Sequence, residues 1–453
     1  MKIIIAGCGK IGTTLIQNLV VEGHDIVVID NNTTVVSEIT NVYDVMGIYG
    51  NGVDSDILME AGIADAELFI AVAGSDELNM LSCFMARKLG AKNTIARIRS
   101  PEYNDKSLGF MRQHLELSMA INPERLAAQE LFNILKVPSA LKIETFSRRN
   151  FEMVELRLKD ESLLDGVKLL DIRNIFKAKV LICCVQRGDE VFIPDGNFVL
   201  QSGDKIGITA PHSELQKFFK NIGLIQKKAK SVMILGGSRT AYYLAEMLTN
   251  IGSSVKIIDH DEKTCELMCE LLPKAVIING DGAKQEVLLE EGLRTTDAFV
   301  SLTGMDEENI LVSIFASSQN VPKVISKVNR DELIPMAERL GLESVISPEK
   351  LIADVLISYA RALQNSLGSN IETLYKIMDG KVEALEFNVR ENSIVVGIPL
   401  KELSILKNIL IGGIIRDRKT IIPAGDDMIL AGDRVIVIAA NHKLQDLSDI
   451  LQK

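Results

Sequence analysis

Tryptophan is absent from this sequence, histidine occurs five times in 453 residues, and no apolar run is longer than a strand. A helix that spans a bilayer needs about 20 consecutive apolar residues, and even the long apolar stretch at 409–415 falls well short of that length. The chain also starts directly on a strand pattern, without the basic start and cleavage site of a signal peptide. We therefore expect a cytoplasmic protein whose contact with a membrane is peripheral.

Excess positive charge is missing as well. The chain has 61 acidic and 50 basic residues, a formal charge of −11 and a pI near 5.2. Binding to nucleic acid without sequence preference requires a cationic surface, so we do not expect a nucleic-acid partner. The six cysteines form no C-x-x-C pair and few histidines accompany them, which indicates reduced, mostly buried thiols and no metal site.

What the sequence does contain is a long internal repeat. Gly7 in KIIIAGCGKIG corresponds to Gly236 in SVMILGGSRTA, and Asp30 corresponds to Asp259 at the same offset of 229 residues. INPERL at 121–126 is repeated as ISPEKL at 346–351. A unit of about 230 residues is therefore written twice, and such self-similarity decides the architecture.

Each unit changes character along its length. The front part alternates short β-branched runs with helical periods, which predicts an α/β, Rossmann-type, doubly wound parallel sheet. The rear part has short strands broken by glycine turns and predicts a small α+β domain rich in antiparallel strands. Residues 227–230 (KKAK) form a polar linker between the units. The predicted domains are 1–123, 141–225, 230–348 and 368–453.

The front part of the first unit carries a dinucleotide fingerprint. Gly7, Gly9 and Gly12 form G-x-G-x-x-G between a predicted strand and a predicted helix, with Cys8, Lys10 and Ile11 between them. The first glycine permits a tight turn, the second lets backbone N–H groups approach a pyrophosphate, and the third allows close packing. Asp30 ends the next strand and would bind ribose hydroxyls, which favours NAD over NADP.

The second copy of the fingerprint is altered. It begins with Gly236, but Ser238 stands where the middle glycine is expected, and Ala241 replaces the third glycine. Asp259 is kept, and Arg239 at the helix start could itself meet a phosphate. Two alternatives therefore stay open for this copy: a second nucleotide site, or a fingerprint kept only for packing.

Charged residues elsewhere in the front parts have two interpretations each. Arg97 ends the fifth strand, where open α/β sheets bind ligands, so it reaches either phosphate oxygens or a surface salt-bridge partner. The acidic clusters 76–77 and 306–308 lie at helix starts. We interpret them first as helix caps and second as a cation site.

Taken together, these motifs resemble the RCK (KTN) regulatory fold, and the duplicated chain resembles the TrkA-type peripheral subunits of Trk potassium uptake systems. The resemblance extends over essentially all 453 residues. It rests on MKIIIAGCGKIG, on DSDIL and EAGI within 54–63, and on SDELNM at 75–80. It also includes IARIRSPEY at 95–103, INPERLAAQELFNILKVPSA at 121–140, and the two IP-x-G and GD tails.

The resemblance implies an N-terminal and a C-terminal RCK domain in each half. It further implies a homo-tetrameric ring under a TrkH-type membrane potassium channel subunit, and control by NAD(H) and by ATP or ADP. The first site would use Gly7, Cys8, Gly9, Lys10, Ile11, Asp30 and Arg97, with backbone at Ala73 and Gly74. Relatives often have a hydroxyl residue at the position of Ala73. In the second half Ser238 and Lys327 replace a glycine and an arginine.

An NAD-dependent oxidoreductase with substrate-binding rear domains is the alternative function. Such an enzyme needs a proton donor or acceptor beside the nicotinamide. None of the five histidines lies in a motif with an orienting carboxylate. We therefore expect a regulatory protein and not an enzyme.

Overall fold

The structure is a computed structural model that describes residues 1–103, 105–136, 141–146, 151–224, 229–366, 371–417 and 419–452. The predicted linker at 227–230 lies partly outside the described residues, as do the predicted domain ends at 225, 368 and 453. The predicted domain limits therefore stay predictions, whereas the sheets can be described directly.

The front part of the first half is a six-stranded parallel sheet in the order β3-β2-β1-β4-β5-β6. Its strands are β1 (Lys2–Ala6), β2 (Asp25–Asp30), β3 (Met46–Tyr49), β4 (Leu68–Ala71), β5 (Thr94–Arg97) and β6 (Met119–Ile121). Its helices are α1 (Lys10–Val21), α2 (Thr33–Val42), α3 (Ser55–Glu60), α4 (Asp76–Lys88), α5 (Asp105–His114) and α6 (Pro123–Lys136). The strand order reverses between β1 and β4, and ligands bind at such a switch point.

The rear part of the first half is a five-stranded antiparallel sheet in the order β10-β9-β11-β8-β7. Its strands are β7 (Lys142–Phe146), β8 (Phe151–Arg157), β9 (Leu181–Arg187), β10 (Glu190–Phe192) and β11 (Lys205–Ala210). The helices α7 (Leu169–Phe176) and α8 (His212–Asn221) complete it.

The second half repeats both sheets, which confirms the predicted tandem α/β architecture. Its parallel sheet has the order β14-β13-β12-β15-β16-β17 and its antiparallel sheet the order β18-β19-β22-β20-β21. The parallel strands are β12 (Ser231–Leu235), β13 (Ser254–Asp259), β14 (Val276–Asn279), β15 (Ala298–Ser301), β16 (Lys323–Lys327) and β17 (Val345–Ile346). The antiparallel strands are β18 (Ile371–Ile377), β19 (Val382–Asn388), β20 (Ile409–Arg416), β21 (Lys419–Ile421) and β22 (Arg434–Ala440).

Helices of the second half also follow the first. They are α9 (Arg239–Asn250), α10 (Glu262–Leu271), α11 (Gln285–Glu290), α12 (Asp306–Ser318), α13 (Ile334–Arg339) and α14 (Pro348–Ser366). Short 3-10 helices lie at Ile63–Asp65, Leu293–Thr295, Asp331–Leu333, Met378–Gly380, Leu400–Glu402 and Leu447–Ile450. Among the described residues no helix is both long and apolar enough to cross a bilayer.

The two halves exchange α6 and α14, the helices that follow the last strand of each parallel sheet. Leu131 of α6 is fully buried in one core with Leu244 of α9 in the second parallel domain. Conversely, Leu356 of α14 is buried with Leu15 of α1 in the first parallel domain. Each parallel domain is therefore completed by a helix from the other half, which fixes the two domains side by side.

The two antiparallel domains also share a core. Phe151 of β8 packs with Ile377 of β18 and Ile438 of β22. Thr209 Oγ1 of β11 donates a hydrogen bond of 2.9 Å to the carbonyl of Gly412 in β20. Five of the six cysteines are buried and Cys269 is exposed, and all six are free thiols, in agreement with the interpretation from sequence.

Candidate nucleotide-binding site

The glycines of the first fingerprint have three different local environments. Gly7 has φ of +100°, and a Cβ there would lie 2.6 Å from the nitrogen of Ala73. A Cβ on Gly12 would lie 2.1 Å from the carbonyl oxygen of Gly7. Gly9 precedes α1, and a Cβ there would meet nothing within 4 Å. Gly7 and Gly12 are therefore required for packing, whereas Gly9 opens onto free space.

Asp30 holds the fingerprint loop from the end of β2. Its carboxylate accepts a hydrogen bond of 2.7 Å from the backbone N–H of Cys8 and one of 2.9 Å from that of Asn32. The Cys8 side chain is buried, and burial together with the Asp30 charge raises the pKa of its thiol to about 12. Cys8 is therefore a neutral thiol at physiological pH and contributes its backbone to the loop.

Arg97 lies at the carboxyl end of β5 and lines a cavity beside the fingerprint. Its Nη2 donates a 2.5 Å hydrogen bond to the carbonyl of Ala73, and its Nε, which is buried, has no partner among the described residues. Burial, followed by the neighbouring Arg99 charge, lowers the pKa of the guanidinium. Arg97 is a half-buried cation at the predicted ligand edge, and among the residues that the structure describes it forms no salt bridge.

Asn79 is a site residue that the sequence reasoning missed. It is fully buried in α4, and its Oδ1 accepts a 2.8 Å hydrogen bond from the N–H of Ala73. Its Nδ2 donates to the carbonyls of Ala73 (3.1 Å) and Arg97 (2.9 Å). Asn309 makes the matching contacts with Thr303 and Lys327 in the second half. The repetition of this asparagine in both copies was the available signal.

The interpretation of the acidic clusters as helix caps was wrong in detail. Ser75, not Asp76, is the N-cap of α4 and accepts from the N–H of Leu78 at 3.4 Å. The Asp76 carboxylate instead accepts from the backbone N–H groups of Arg99 (2.9 Å) and Ser100 (2.8 Å), which follow β5. Asp306 accepts the two equivalent backbone hydrogen bonds in the second half. Among the described residues no acidic, histidine or cysteine group of three could hold a metal ion.

The second fingerprint has the same loop shape as the first, but its own serine side chain caps the start of the helix. Gly236 has φ of +96°, and the N–H of Gly237 donates a 2.5 Å hydrogen bond to Asp259. Ser238 is the N-cap of α9, and its Oγ accepts from the N–H of Ala241 at 3.3 Å. A phosphate at this position would compete with the serine hydroxyl for the same backbone donor.

Both fingerprints open onto one cavity of about 1000 Å³ between the two parallel domains. Gly7, Gly9, Lys10, Ile11, Asp30, Ala73, Gly74 and Arg97 line it from the first half, and Ser238 and Arg239 line it from the second. Lys327 and Arg99 add positive charge, and Glu124 and Glu349 add negative charge. Cys8, Gly12, Gly236 and Asp259 support the loops behind this lining.

Cations from the two halves approach each other across this cavity. Burial and then Arg99 lower the pKa of Arg97, with a smaller contribution from the charge of Arg239, and burial followed by the charge of Lys10 lowers the pKa of Lys327. Like charges that line one partly desolvated cavity favour an anion between them. The cavity therefore has the volume and the charge to hold a phosphate-bearing ligand.

Comparisons with known families and proteins agree with this architecture. The TrkA-N domain matches residues 3–116 and 232–348, and the TrkA-C domain matches residues 153–223 and 384–452. The Trk system potassium uptake protein TrkA homolog of Archaeoglobus fulgidus is 31% identical over 453 residues, with all of both chains covered. The Trk system potassium uptake protein TrkA of Haemophilus influenzae is 30% identical, over 99% of this chain and 96% of its own.

Solved structures show the same fold at lower identity. The crystal structure of the GsuK RCK domain has a TM-score of 0.65 and 19% identity, and covers 97% of this chain and 92% of its own. The GsuK channel bound to NAD has a TM-score of 0.64 and 18% identity, over 97% of this chain and 77% of its own. With two TrkA-N and TrkA-C pairs and full-length relatives at about 30% identity, the chain belongs to the TrkA family of RCK-domain proteins.

Proposed function

We propose that this chain is a regulatory subunit that gates a membrane potassium uptake channel in response to NAD(H) or adenine nucleotides. The observation that carries the proposal is the large cavity into which an intact G-x-G-x-x-G loop, Asp30 and Arg97 all open. Its relatives are named as Trk potassium uptake proteins, and one related fold is a channel bound to NAD. Regulation of potassium uptake joins these two observations.

The residues that would hold the nucleotide follow from the cavity. The pyrophosphate would lie at the start of α1, where Gly9 and Lys10 line the cavity and a Cβ on Gly9 would meet nothing within 4 Å. Asp30 would accept from ribose hydroxyls, and a 2′-phosphate would be repelled by its carboxylate, so NAD(H) is favoured over its phosphorylated form. ATP or ADP fits the same adenosine and phosphate contacts.

The second half would contribute to this site and not form an equal one. Ser238 already satisfies the N–H of Ala241, while Arg239 and Lys327 face the shared cavity. These two side chains would contact the outer phosphates of a nucleotide held by the first half. A ligand that touches both halves can bind two arrangements of the domains with different affinity, which is the condition for control.

The partner would be a TrkH-type membrane subunit, contacted from the cytoplasmic side, with this chain assembled as a homo-tetramer. Gating would follow if the nucleotide changed the angle between paired parallel domains. A nucleotide that bound both arrangements equally would change nothing, so the control must lie in contacts that form in only one of them.

The dehydrogenase alternative is not favoured by the site. The described lining of the cavity offers lysine and arginine, but neither histidine nor tyrosine. Lysines 10 and 327 remain as proton-transfer groups, and an assay for hydride transfer tests whether they act in catalysis.

Potassium flux tests the proposal. The protein reconstituted with its membrane partner is compared with Asp30→Ala, which removes the acceptor for Cys8 and Asn32. We expect the nucleotide response of the flux to be lost while the flux without nucleotide is retained. An unchanged response in Asp30→Ala, with the variant folded, contradicts the proposal.

A further inference from the structure

A cluster of buried and partly buried charges joins the first antiparallel domain to the rest of the chain. We call it the junction cluster and define it as six residues on five elements. They are Glu130 (α6), Lys142 and Glu144 (β7), Glu155 (β8), Lys205 (β11) and Asp354 (α14). Five of them, all but Glu144, also line a cavity of about 350 Å³.

Hydrogen bonds connect this cluster to the second antiparallel domain. Lys142 Nζ lies 2.7 Å from Glu144 and donates at 2.8 Å to the carbonyl of Lys376 in β18. Glu155, which is 2% exposed, accepts from Lys205 at 3.1 Å and from the backbone N–H of Met378 at 3.2 Å. The cluster thus lies where both halves and both domain types meet.

The charges of the cluster do not balance. Glu130, Glu144, Glu155 and Asp354 supply four carboxyl groups, while Lys142 and Lys205 supply two ammonium groups. Four ionised carboxylates would give these six residues a net charge of about −2, and the other charged residues of the cavity, three basic and two acidic, reduce it only to about −1. An excess of negative charge in a partly desolvated space is unfavourable. Burial, and then the Glu144 charge, raises the pKa of Glu130 to about 8. Burial also raises the pKa of Glu144. The cluster therefore retains a proton that exposed carboxyls lose.

The second half keeps only one pair of this set at the corresponding positions, Glu386 with Arg434 in place of Glu155 with Lys205. Lys142 is paired with Glu155 across β7 and β8, and the equivalent pair in the second half is Thr373 with Glu386. Glu144 corresponds in the same register to Tyr375, opposite Ala384. Glu386 lies near Arg434, at 3.7 Å. The excess of carboxyls is therefore a property of the first half and not of the repeated fold.

Two helices connect the junction cluster with the large cavity. Glu124 of α6 lines the large cavity, and Glu130 lies six residues further along the same helix. Glu349 and Asp354, five residues apart, are arranged similarly on α14. Five to six helical residues span about 8 to 9 Å. The two cavities are therefore joined by short helical segments of α6 and α14.

We propose that the junction cluster is a proton-sensitive joint, in which a proton held at Glu130 keeps the first antiparallel domain seated on α6 and α14. Loss of this proton adds a carboxylate beside Glu144 and Glu155, and the joint opens to hydrate it. The proposal concerns a conformational equilibrium of the free protein, and it stands whether or not a nucleotide binds.

The direction of the pH dependence follows from linkage. The closed joint raises the pKa of Glu130, whereas an open, hydrated joint returns it toward the ordinary value near 4.5. The closed form is therefore favoured at low pH and loses this advantage as the pH rises from about 4.5 to about 8. One carboxyl changes the equilibrium by at most about tenfold per pH unit.

Other charged groups face the joint and contribute to the electrostatic potential at Glu130. They are Arg157 of β8, Glu338 of α13, Glu343 before β17, Lys350 of α14, and Tyr375 and Lys376 of β18. Burial raises the pKa of Tyr375, so its hydroxyl stays neutral across this pH range. Glu144 is the group whose titration most directly adds to that of Glu130.

A distance measurement tests the joint. Cys269 is the exposed native cysteine, on α10, and Lys217→Cys adds a label site on the exposed face of α8 in the first antiparallel domain. Spin-label distances between these sites are measured from pH 5 to pH 9, without nucleotide, in labelled protein diluted with unlabelled protein. Glu130→Gln keeps the joint neutral, and Glu246→Gln on the exposed face of α9 is the matched control.

We expect the distance distribution of the parent and of Glu246→Gln to shift between pH 5 and pH 8, while Glu130→Gln keeps the low-pH distribution up to pH 9. A parent distribution that does not change with pH overturns the proposal. So does a shift in Glu130→Gln that equals the parent's. If Glu130→Gln does not fold, Glu144→Gln is used, and a pH response as large as the parent's has the same meaning.

Discussion

Arg239 connects the two halves of the chain at the proposed nucleotide site. It begins α9 in the second half, yet it lines the cavity that contains the fingerprint of the first half. Its charge also contributes to lowering the pKa of Arg97 across that cavity. The residue therefore belongs to the same site as Gly9 and Asp30.

Replacement of this arginine gives a prediction at the residue scale. Arg239→Ala removes a cation from the phosphate side of the cavity, and hydrogen bonds to charged groups contribute about 1.5 to 3 kcal/mol. We expect nucleotide affinity to fall about 10- to 100-fold in calorimetric titrations, with the fold retained. Lys263→Ala, on the exposed face of α10 in the same domain, is the control and should bind as the parent does. Equal affinity in Arg239→Ala would mean that the second half takes no part in the site.

At this site the sequence predicted the glycines of the loop better than the side chains that hydrogen-bond to neighbouring backbone. Glycines at the fixed spacing of this motif have well-defined structural roles, so the roles of Gly7 and Gly12 could be assigned from the sequence. The close contacts around both residues agree with those roles. Asp76 and Asn79 bind loops that follow other strands, at residues 18 to 24 positions away. Such pairings depend on tertiary geometry, which a local pattern does not contain.

At the scale of the element, α6 and α14 were the least predictable parts of the fold. Their sequences show amphipathic helices, and the repeated INPERL and ISPEKL starts mark them as equivalent. Amphipathicity shows that an apolar face is buried, but not which domain covers it. Because the two halves are equivalent, exchange and no exchange satisfy the same pattern, and the structure shows exchange.

Helix exchange predicts a reciprocal effect of two core mutations. Leu131→Ala, in the first half, should destabilise the second parallel domain, and Leu356→Ala, in the second half, should destabilise the first. Both side chains are fully buried, and leucine-to-alanine changes in cores cost about 2 to 5 kcal/mol. Hydrogen exchange of β12 to β15 should increase in Leu131→Ala, and that of β1 to β4 in Leu356→Ala. The opposite assignment, with each mutation acting on its own half, would show that the helices are not exchanged.

At the scale of the whole molecule, duplication has produced a site with unequal contributors. The exchanged helices hold the two parallel domains together, and both fingerprints open onto the same cavity. Ser238 occupies the helix start in one copy, while Gly9 leaves it free in the other. In the proposed site a single chain would hold one nucleotide with the first half and contact it with cations of the second. Such a ligand would influence the angle between the two parallel domains.

Calorimetric titration of the full chain and of Gly9→Asp with NADH, NAD, ATP and ADP tests this account most directly, with absorbance followed for hydride transfer. A side chain at residue 9 would point into open space, so the variant should fold normally while its carboxylate repels phosphate. The account predicts saturable binding of at least one of these nucleotides to the parent, loss of that binding in Gly9→Asp, and no turnover. Absence of binding to the parent, or equal binding by Gly9→Asp, would contradict a nucleotide site at this fingerprint.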